Sequence, residues 1–306
     1  MITTLTGSND FMRNAELRAM TQKVVSEFGD MAVERLDGAS ASSDAMLGAL
    51  QSPPFLTARK LVILREPGQQ KAFAEGLEQA AKTIPEQTDV ILVEPKLDKR
   101  LGYYKFLKKH TTMQECAELD GAALTRWATA FVKERGGTLE PAASRELLNR
   151  CGSQQQIMHT ELQKLLAFSP DITLSTVQLL TPHLPQSTVF TLLDAAFAGK
   201  TKQALALYDE QRSLKVEPLA ILAMMAWQLH ILALVKTAGS RTADAIAKEA
   251  KVSPFVVRKT QGLARSMSLA HLKKRIAMLL EIDLRLKRES LDADEAMRLY
   301  LLSLAS

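Results

Sequence analysis

Cysteine is scarce in this chain of 306 residues. Cys116 and Cys151 are the two cysteines, they lie far apart, and no C-x-x-C motif is present. A disulfide framework or a zinc site would need more cysteines or a closer spacing. The histidines have no metal-ligand spacing either, and they are His110, His159, His183, His230 and His271. The sequence therefore predicts no metal site, and two small buried thiols suit a reducing cytoplasm.

Long apolar runs are also missing. The most apolar stretch, Leu219–Val235, falls short of the roughly 20 residues that a membrane-spanning helix needs, and it contains Gln228 and His230. We expect a buried helix there. The first ten residues, MITTLTGSND, lack the basic and apolar regions of a signal peptide. These two absences predict a cytoplasmic protein.

Catalytic motifs are missing as well. There is no G-x-S-x-G elbow, and no phosphate loop of the form G-x-x-x-x-G-K-[ST]. The frame for a phosphate loop is present, because a strand at Ile2–Leu5 and a helix at Phe11–Phe28 flank the turn Thr6–Asp10. That turn contains one glycine, Gly7, no lysine and the acidic Asp10. The sequence therefore predicts no nucleotide site, no cofactor and no catalytic residue.

The hydrophobic pattern divides the chain into an α/β part and a helical part. Over residues 1–120 short apolar strands, of which Leu61–Leu64 and Asp89–Glu94 are the clearest, alternate with helices and predict an open α/β sheet. From Gly121 onward the period is helical. Two prolines in Thr181–Pro185 mark a linker. The predicted fold class is α/β followed by all-α, with domains at 1–120, 121–185 and 186–306.

The stretch Ser52–Arg65, SPPFLTARKLVILR, contains an unusually placed pair of large apolar residues. Pro53 and Pro54 keep the backbone extended, and the apolar run that ends the stretch is typical of a buried strand. Phe55 and Leu56 lie between them on an irregular segment, and such segments mostly run over the surface. Two interpretations are open: the pair folds back into the core, or it is exposed and inserts into a pocket of another protein.

Basic residues are unevenly distributed. Residues 186–306 hold 18 lysines and arginines against 12 aspartates and glutamates, in a chain of net charge +5. Such an excess favours nucleic acid or an acidic partner. Within this part, Ala245–Ala264 is similar to a helix-turn-helix, with Arg258 and Lys259 on its second helix. Packed helical hairpins imitate the same pattern, so both interpretations stay open.

A second basic segment, Lys96–His110, mixes lysines with aromatic residues. This combination occurs in proteins that bind single-stranded nucleic acid. The alternative is a solvated helix that packs Leu101, Phe106 and Leu107 on one face.

Short motifs carry a resemblance to a known family. They are VFTLLDA at Val189–Ala195, Glu217-Pro218-Leu219, VSPFV at Val252–Val256, LLEIDLRLK at Leu279–Lys287, TELQKL at Thr160–Leu165, Lys96–Arg100 and Trp127. In this order and spacing they resemble the delta subunit of the bacterial DNA polymerase III clamp loader over nearly the whole chain.

The resemblance extends to the unusual apolar pair. The clamp-binding signature of the family is a Leu-Phe pair, a few small or polar residues, two basic residues and then a strand. Pro54–Leu61, PFLTARKL, fits this signature with the pair inverted to Phe55-Leu56 and with Arg59 and Lys60 as the basic residues. The resemblance therefore implies that Phe55 and Leu56 are exposed and bind the sliding clamp.

The resemblance further implies an AAA+-like α/β domain without a phosphate loop, a small helical lid domain and a helical collar domain. The collar would join this subunit to the other clamp-loader subunits in a hetero-pentamer, which agrees with the high leucine content of Pro218–Lys236 and Leu269–Lys287. The implied role is to bind and open the sliding clamp (the beta subunit) during DNA replication. Neighbouring subunits would hydrolyse ATP, and primed DNA would lie nearby with weak or indirect contact.

Two rival functions remain from the residues themselves. One is a DNA-binding regulator that uses the helix-turn-helix-like segment. The other is a degenerate ATPase, which needs a phosphate-binding lysine near Gly7.

Overall fold

The computed structural model describes residues 1–183, 185–252 and 254–304. The chain forms two compact units, Met1–Glu118 and Leu119–Ser306. The first is an α/β unit and the second is helical apart from two very short strands. The predicted fold class, α/β followed by all-α, is confirmed.

The first unit is built on a five-stranded parallel sheet. Its strands are β1 (Ile2–Thr6), β2 (Val33–Asp37), β3 (Lys60–Arg65), β4 (Thr88–Glu94) and β5 (Thr112–Glu115). Its α-helices are α1 (Asp10–Phe28), α2 (Ser43–Gln51), α3 (Lys71–Ala80) and α4 (Gly102–His110). The strand order is β2-β3-β4-β1-β5, and each neighbouring pair is parallel.

Helices cover both faces of this sheet, which explains the continuous apolar runs Leu61–Leu64 in β3 and Val90–Val93 in β4. In β3, Leu61 and Ile63 pack on the face covered by α1, together with Leu17. Val62 and Leu64 pack on the opposite face against α2, α3 and α4. Parallel strands buried on both faces give continuous hydrophobic runs instead of an alternating pattern. The runs in β3 and β4 were therefore readable from the sequence.

The second unit begins with four helices and a pair of very short parallel strands. These elements are α5 (Gly121–Lys133), β6 (Thr138–Leu139), α6 (Pro141–Cys151), α7 (Gln155–Phe168), β7 (Asp171–Ile172) and α8 (Leu174–Leu180). Seven more helices follow: α9 (Pro185–Phe197), α10 (Thr201–Ser213), α11 (Pro218–Thr237), α12 (Ala243–Ala250), α13 (Pro254–Ser266), α14 (Leu269–Arg288) and α15 (Ala293–Leu304).

The buried side chains of the second unit form separate clusters. One lies among α5 to α8, around Leu124, Leu147 and Leu162. A larger one lies among the later helices, around Tyr208 and Met225. Separate cores agree with a boundary near the predicted linker, and the division of the chain into three domains stays a prediction.

Helix α11 lies in the larger cluster, where Ile221, Met225 and Leu229 are buried. Among the described helices it is the one whose length and composition would suffice to cross a membrane, a property that core helices of soluble proteins share. Its buried face agrees with the prediction of a core helix. Its other face is apolar too, although packing into a single core requires only one apolar face.

Three local predictions need correction. Leu101 does not share a helix face with Phe106 and Leu107, because α4 begins at Gly102 and leaves Leu101 exposed ahead of it. The linker is shorter than predicted, because Pro185 begins α9, where proline has no intrahelical N–H to lose; Leu184 lies outside the described residues. The strands β6 and β7 were not predicted, because two residues are too few to show an alternating pattern.

Candidate protein-interaction site

Phe55 and Leu56, called here the apolar pair, are exposed on the loop between α2 and β3. Their side chains are 79% and 72% exposed. All residues of the first unit are described, and its exposed large hydrophobic residues are Met1, Met31, Phe55, Leu56 and Leu101. Phe55 and Leu56 are the one adjacent pair among them. The interpretation of these residues as core is therefore wrong, and the binding of a partner by them stays a prediction.

The path of this loop follows from its prolines. Helix α2 ends at Gln51, and Ser52 has an extended backbone with φ −72° and ψ 134°, the conformation favoured before a proline. Pro53 and Pro54 have no N–H with which to continue the helix. The chain then runs over the surface as an irregular segment until β3 begins. Residues 52–59 are called the display loop.

Leu56 adopts a left-handed backbone conformation with φ 63°. This conformation costs an L-amino acid with a Cβ atom about 1–2 kcal/mol. A strained residue persists only where the surrounding structure holds it. The contacts at the two ends of the display loop therefore matter for the position of the apolar pair.

Lys60, the first residue of β3, ties the end of the display loop back to its beginning. Its Nζ atom donates to the carbonyl oxygen of Ala49 at 3.1 Å and to Oγ of Ser52 at 2.7 Å. It also forms an ion pair with Oε2 of Glu34 on β2 at 2.7 Å, and the Lys60 side chain is only 12% exposed. Ala49 lies in the last turn of α2, where carbonyl groups lack helical partners. One ammonium group thus joins α2, the display loop and the sheet.

Arg59 also pairs with a residue of the first unit. Its Nη2 atom donates to Oδ2 of Asp89 at 2.9 Å, and Oδ1 of Asp89 accepts from the amino terminus of Met1 at 3.0 Å. Partial burial raises the pKa of Asp89, but the hydrogen bonds and positive charges of Arg59 and the amino terminus outweigh it and lower the pKa. Asp89 is therefore a charged anchor for Arg59 at neutral pH.

The turn at Gly7 is closed by protein groups. Gly7 has φ +108°, and a Cβ atom there would collide with the carbonyl oxygen of Cys116. The N–H of Asn9 donates to that same oxygen at 2.9 Å. The buried guanidinium of Arg13 donates to the Gly7 carbonyl and to the Asp10 carboxylate. The turn thus contains a cation that the sequence reasoning missed, although the spacing of Asp10 and Arg13 on a helix was a signal for the pair.

The two basic residues on the second helix of the helix-turn-helix-like segment have partners within the fold. Arg258 of α13 forms an ion pair with Asp244 of α12 at 3.0 Å. The Nζ atom of Lys259 lies 5.0 Å from the ring centroid of Phe190 on α9, and burial lowers the pKa of Lys259. Ser253 lies outside the described residues. Neither cation points to a DNA-binding role for this hairpin.

The basic segment that contains α4 fits the solvated-helix alternative. Leu107 is buried in the core of the first unit, whereas Lys105, Lys108 and Lys109 are exposed.

The described residues contain no group of three or more histidine, cysteine, aspartate or glutamate side chains that could hold a metal ion.

A second apolar surface lies between α11 and α14. It is a groove of about 630 Å³, called here the α11–α14 groove. Leu219 and Leu280 line it and are 52% and 56% exposed, whereas Leu279 lines it and is buried. Asp283 and Lys287, joined by an ion pair of 2.7 Å, lie at its polar end. The two helices of this groove are those whose leucine content the sequence analysis noted.

Comparison with protein families covers both units. The family model of the DNA polymerase III delta subunit matches residues 4–117, and the model of the C-terminal domain of the same subunit matches residues 186–304. The chain belongs to the DNA polymerase III delta subunit family. The apolar pair lies in the first matched region of this delta-family chain, and the α11–α14 groove lies in the second.

Individual relatives of this delta-family chain agree with that assignment. The DNA polymerase III subunit delta of Bacillus subtilis (strain 168) is 26% identical over 317 residues, which cover 98% of this chain and 91% of that protein. The subunit of the same name from Escherichia coli (strain K12) is 24% identical over 206 residues, which cover 65% of this chain and 60% of that protein. The solved structure of the Bacillus subtilis DNA clamp loader delta protein (YqeN) superposes with a TM-score of 0.80 at 24% identity, covering 99% of this chain and 95% of that chain.

Proposed function

We propose that this chain is the non-catalytic subunit of the DNA polymerase III clamp loader that binds and opens the sliding clamp during DNA replication. The observation that carries the proposal is the apolar pair, whose side chains are 79% and 72% exposed and whose surrounding sequence resembles the family's clamp-binding signature with the pair inverted. In this proposal Phe55 and Leu56 insert into a pocket on the clamp. The rest of the first unit is the rigid support that presents them.

The energetics are sufficient for this role. Complete burial of a phenylalanine or leucine side chain is worth about 1.5–3 kcal/mol each. A few such anchors commonly dominate the affinity of an interface, while the surrounding contacts exclude water. Phe55 and Leu56 are available for this burial because the free chain leaves them in solvent.

In the same proposal the Gly7 turn does not bind nucleotide, and its contacts support a non-catalytic role. A Cβ atom at Gly7 would collide with the Cys116 carbonyl, and the Arg13 guanidinium already donates to Asp10 and Gly7. No lysine stands in the turn to reach a phosphate. ATP would then be bound and hydrolysed by the neighbouring subunits of the loader.

We further propose that the helical part from residue 186 onward contacts the other loader subunits. The specific support is the α11–α14 groove, because Leu219 and Leu280 lie on helices that already fill the core and yet remain more than half exposed. Exposed apolar surface of this kind, with a polar rim, is typical of protein interfaces. Leu219 and Leu280 would be covered by an apolar helix of a neighbouring subunit.

The experiment that tests the proposed function is co-elution of the purified full-length chain with its own sliding clamp on a size-exclusion column. We expect a complex that elutes ahead of either protein. The matched control is the same chain with Phe55→Ser and Leu56→Ser, which should elute separately from the clamp. Separate elution of the unaltered chain and the clamp at micromolar concentrations would contradict the proposal.

A further inference from the structure

The two basic residues that follow the apolar pair invite the assumption that they contact an acidic partner. The structure gives Lys60 a different environment. Its ammonium group is directed into the fold, where it reaches the Ala49 carbonyl, the Ser52 hydroxyl and the Glu34 carboxylate. A lysine ammonium group has three N–H donors. Two hydrogen bonds and one ion pair thus direct this ammonium group toward its own chain, and the side chain is only 12% exposed to a partner.

These acceptors come from the two ends of the display loop and from the sheet behind it. Ala49 and Ser52 lie where α2 ends, Lys60 lies where β3 begins, and Glu34 lies on the neighbouring strand β2. A second local bond lies inside the loop, where Oγ1 of Thr57 donates to the Arg59 carbonyl at 2.8 Å. The loop is thus closed at its base, and the apolar pair lies at the far side of this closure.

We propose that Lys60 is a positioning residue for the apolar pair: it closes the base of the display loop, holds Phe55 and Leu56 in the orientation that binds, and does not contact the partner itself. This inference rests on the proposed binding of the clamp by Phe55 and Leu56. It adds that the binding conformation is already formed in the free chain.

Loss of the Lys60 contacts should affect the display loop of the free chain more than the loop in the complex. A protein that populates its binding conformation only partly has its affinity reduced by that fraction. A preformed loop avoids most of the ordering penalty of association. Without the Lys60 ammonium, the left-handed conformation of Leu56 has fewer constraints to hold it. The loop then samples other conformations, and fewer encounters with the clamp lead to binding.

The association and dissociation rates of clamp binding distinguish a positioning role of Lys60 from a direct contact. Loss of a direct contact appears mainly as faster dissociation. Loss of a preformed conformation lowers the association rate, because the complex, once formed, contains the same Phe55 and Leu56 contacts. Lys60→Met keeps the aliphatic length of the side chain and removes the three donors.

The experiment measures binding of the full-length Lys60→Met chain to immobilised sliding clamp, together with amide hydrogen exchange of the free chain. We expect the association rate to fall roughly tenfold, with a dissociation rate within about twofold of the original. Exchange of the amide of residue 52 at the base of the loop, which donates to the Gly48 carbonyl at 2.9 Å, should become faster by a similar factor. The matched control is Lys71→Met on α3, whose lysine is largely exposed and pairs with Glu75; it should change none of these quantities.

Each other outcome overturns part of the account in a recognisable way. An unchanged association rate and unchanged exchange would show that Lys60 does not position the loop. A dissociation rate that rises while the association rate is unchanged would show that Lys60 contacts the clamp. If the chain with Phe55→Ser and Leu56→Ser still binds the clamp, the proposed function is wrong, and hydrogen exchange alone then decides whether Lys60 orders the loop.

A milder variant covers the case in which Lys60→Met does not fold. Ser52→Ala removes one of the three acceptors and leaves the Glu34 ion pair in place. It should lower the association rate in the same direction by roughly threefold. A folded Ser52→Ala chain with unchanged association and unchanged exchange would count against the inference.

Discussion

The display loop and the α11–α14 groove are both apolar surfaces, but they are built in opposite ways. In the loop, two side chains protrude and their backbone is held by polar contacts from Lys60 and Arg59. In the groove, the walls are helices whose inner residues belong to the core of the second unit. The loop suits insertion into a pocket on a partner, whereas the groove suits reception of an element from a partner.

The difference has a consequence for mutagenesis. The apolar pair can be changed without opening a cavity, because Phe55 and Leu56 pack against little of their own chain. The groove contains buried residues such as Leu279 beside exposed ones such as Leu280. Substitutions in the display loop should therefore weaken partner binding without lowering stability. In the groove, substitutions of exposed residues should weaken binding, whereas substitutions of buried residues should also lower stability.

The largest expected effect is on assembly through the groove. Leu219→Glu with Leu280→Glu places two charges on a surface that we propose is buried against a neighbouring subunit, where an unpaired charge is strongly unfavourable. We expect the chain to be lost from the loader complex in a pull-down of the assembled subunits. Affinity of the isolated chain for the clamp should be unchanged.

The control for this assembly experiment is Leu299→Glu. Leu299 lies on α15, is exposed, and does not line the groove. It should leave assembly intact. Assembly that survives the two groove substitutions would remove the α11–α14 groove from the interface.

The second prediction compares the contributions of Leu279 in the groove and Phe55 in the display loop to the free energy of unfolding. Leu279→Ala removes a buried side chain and should cost about 2–5 kcal/mol of the free energy of unfolding. Phe55→Ala should stay within about 0.5 kcal/mol, as surface substitutions usually do. Chemical denaturation of the two variants measures the difference. Similar losses in both variants would mean that Phe55 packs more tightly than its exposure indicates.

The third prediction concerns the left-handed residue of the loop. Leu56→Gly removes a Cβ atom from a residue with φ 63° and should relieve about 1–2 kcal/mol of strain, offset in part by the greater entropy of the unfolded chain. We expect a melting temperature that is unchanged or slightly higher, together with weaker binding to the clamp. A clear loss of stability would show that the Leu56 side chain contributes to the fold.

The smallest effect is expected at Asp89. Its pKa is lowered in the folded chain, so its contribution to stability is present above the unfolded pKa of about 3.9 and is lost as the pH falls through the lowered value. Asp89→Asn should cost about 0.2–1 kcal/mol near pH 7, because both partners are partly exposed and the pair is screened. The difference between the two proteins should shrink below about pH 4, as measured by denaturation at several pH values. A difference that grows on acidification would contradict the assignment of Asp89 as a charged anchor.

The sequence predicted the parts of the fold that local chemistry decides. The run Val90–Val93 in β4 is apolar and buried because the sheet is covered on both faces, and the end of α2 is set by Pro53. The exposure of Phe55 and Leu56 was left open by the residues themselves. Resemblance to a family favoured the exposed alternative, and both side chains are exposed in the structure.

The polar contacts that hold the display loop could not be predicted from the sequence. The acceptors of Lys60 lie at Glu34, Ala49 and Ser52, and only the packing of α2 and β2 beside β3 brings them together. The Arg13 guanidinium is likewise placed in the Gly7 turn by the fold. Lys60 looks like a solvent-exposed side chain in the sequence, because its partners lie outside its own strand and are brought to it by the fold.

The central claim is that the apolar pair binds the sliding clamp and contributes little to the fold. The direct test is one double variant, Phe55→Ser with Leu56→Ser, measured for both clamp affinity and melting temperature. Loss of roughly 3–6 kcal/mol of burial in the complex predicts an affinity at least about a hundredfold weaker, with a melting temperature close to that of the unaltered chain. A variant that folds normally and still binds the clamp tightly would contradict the claim.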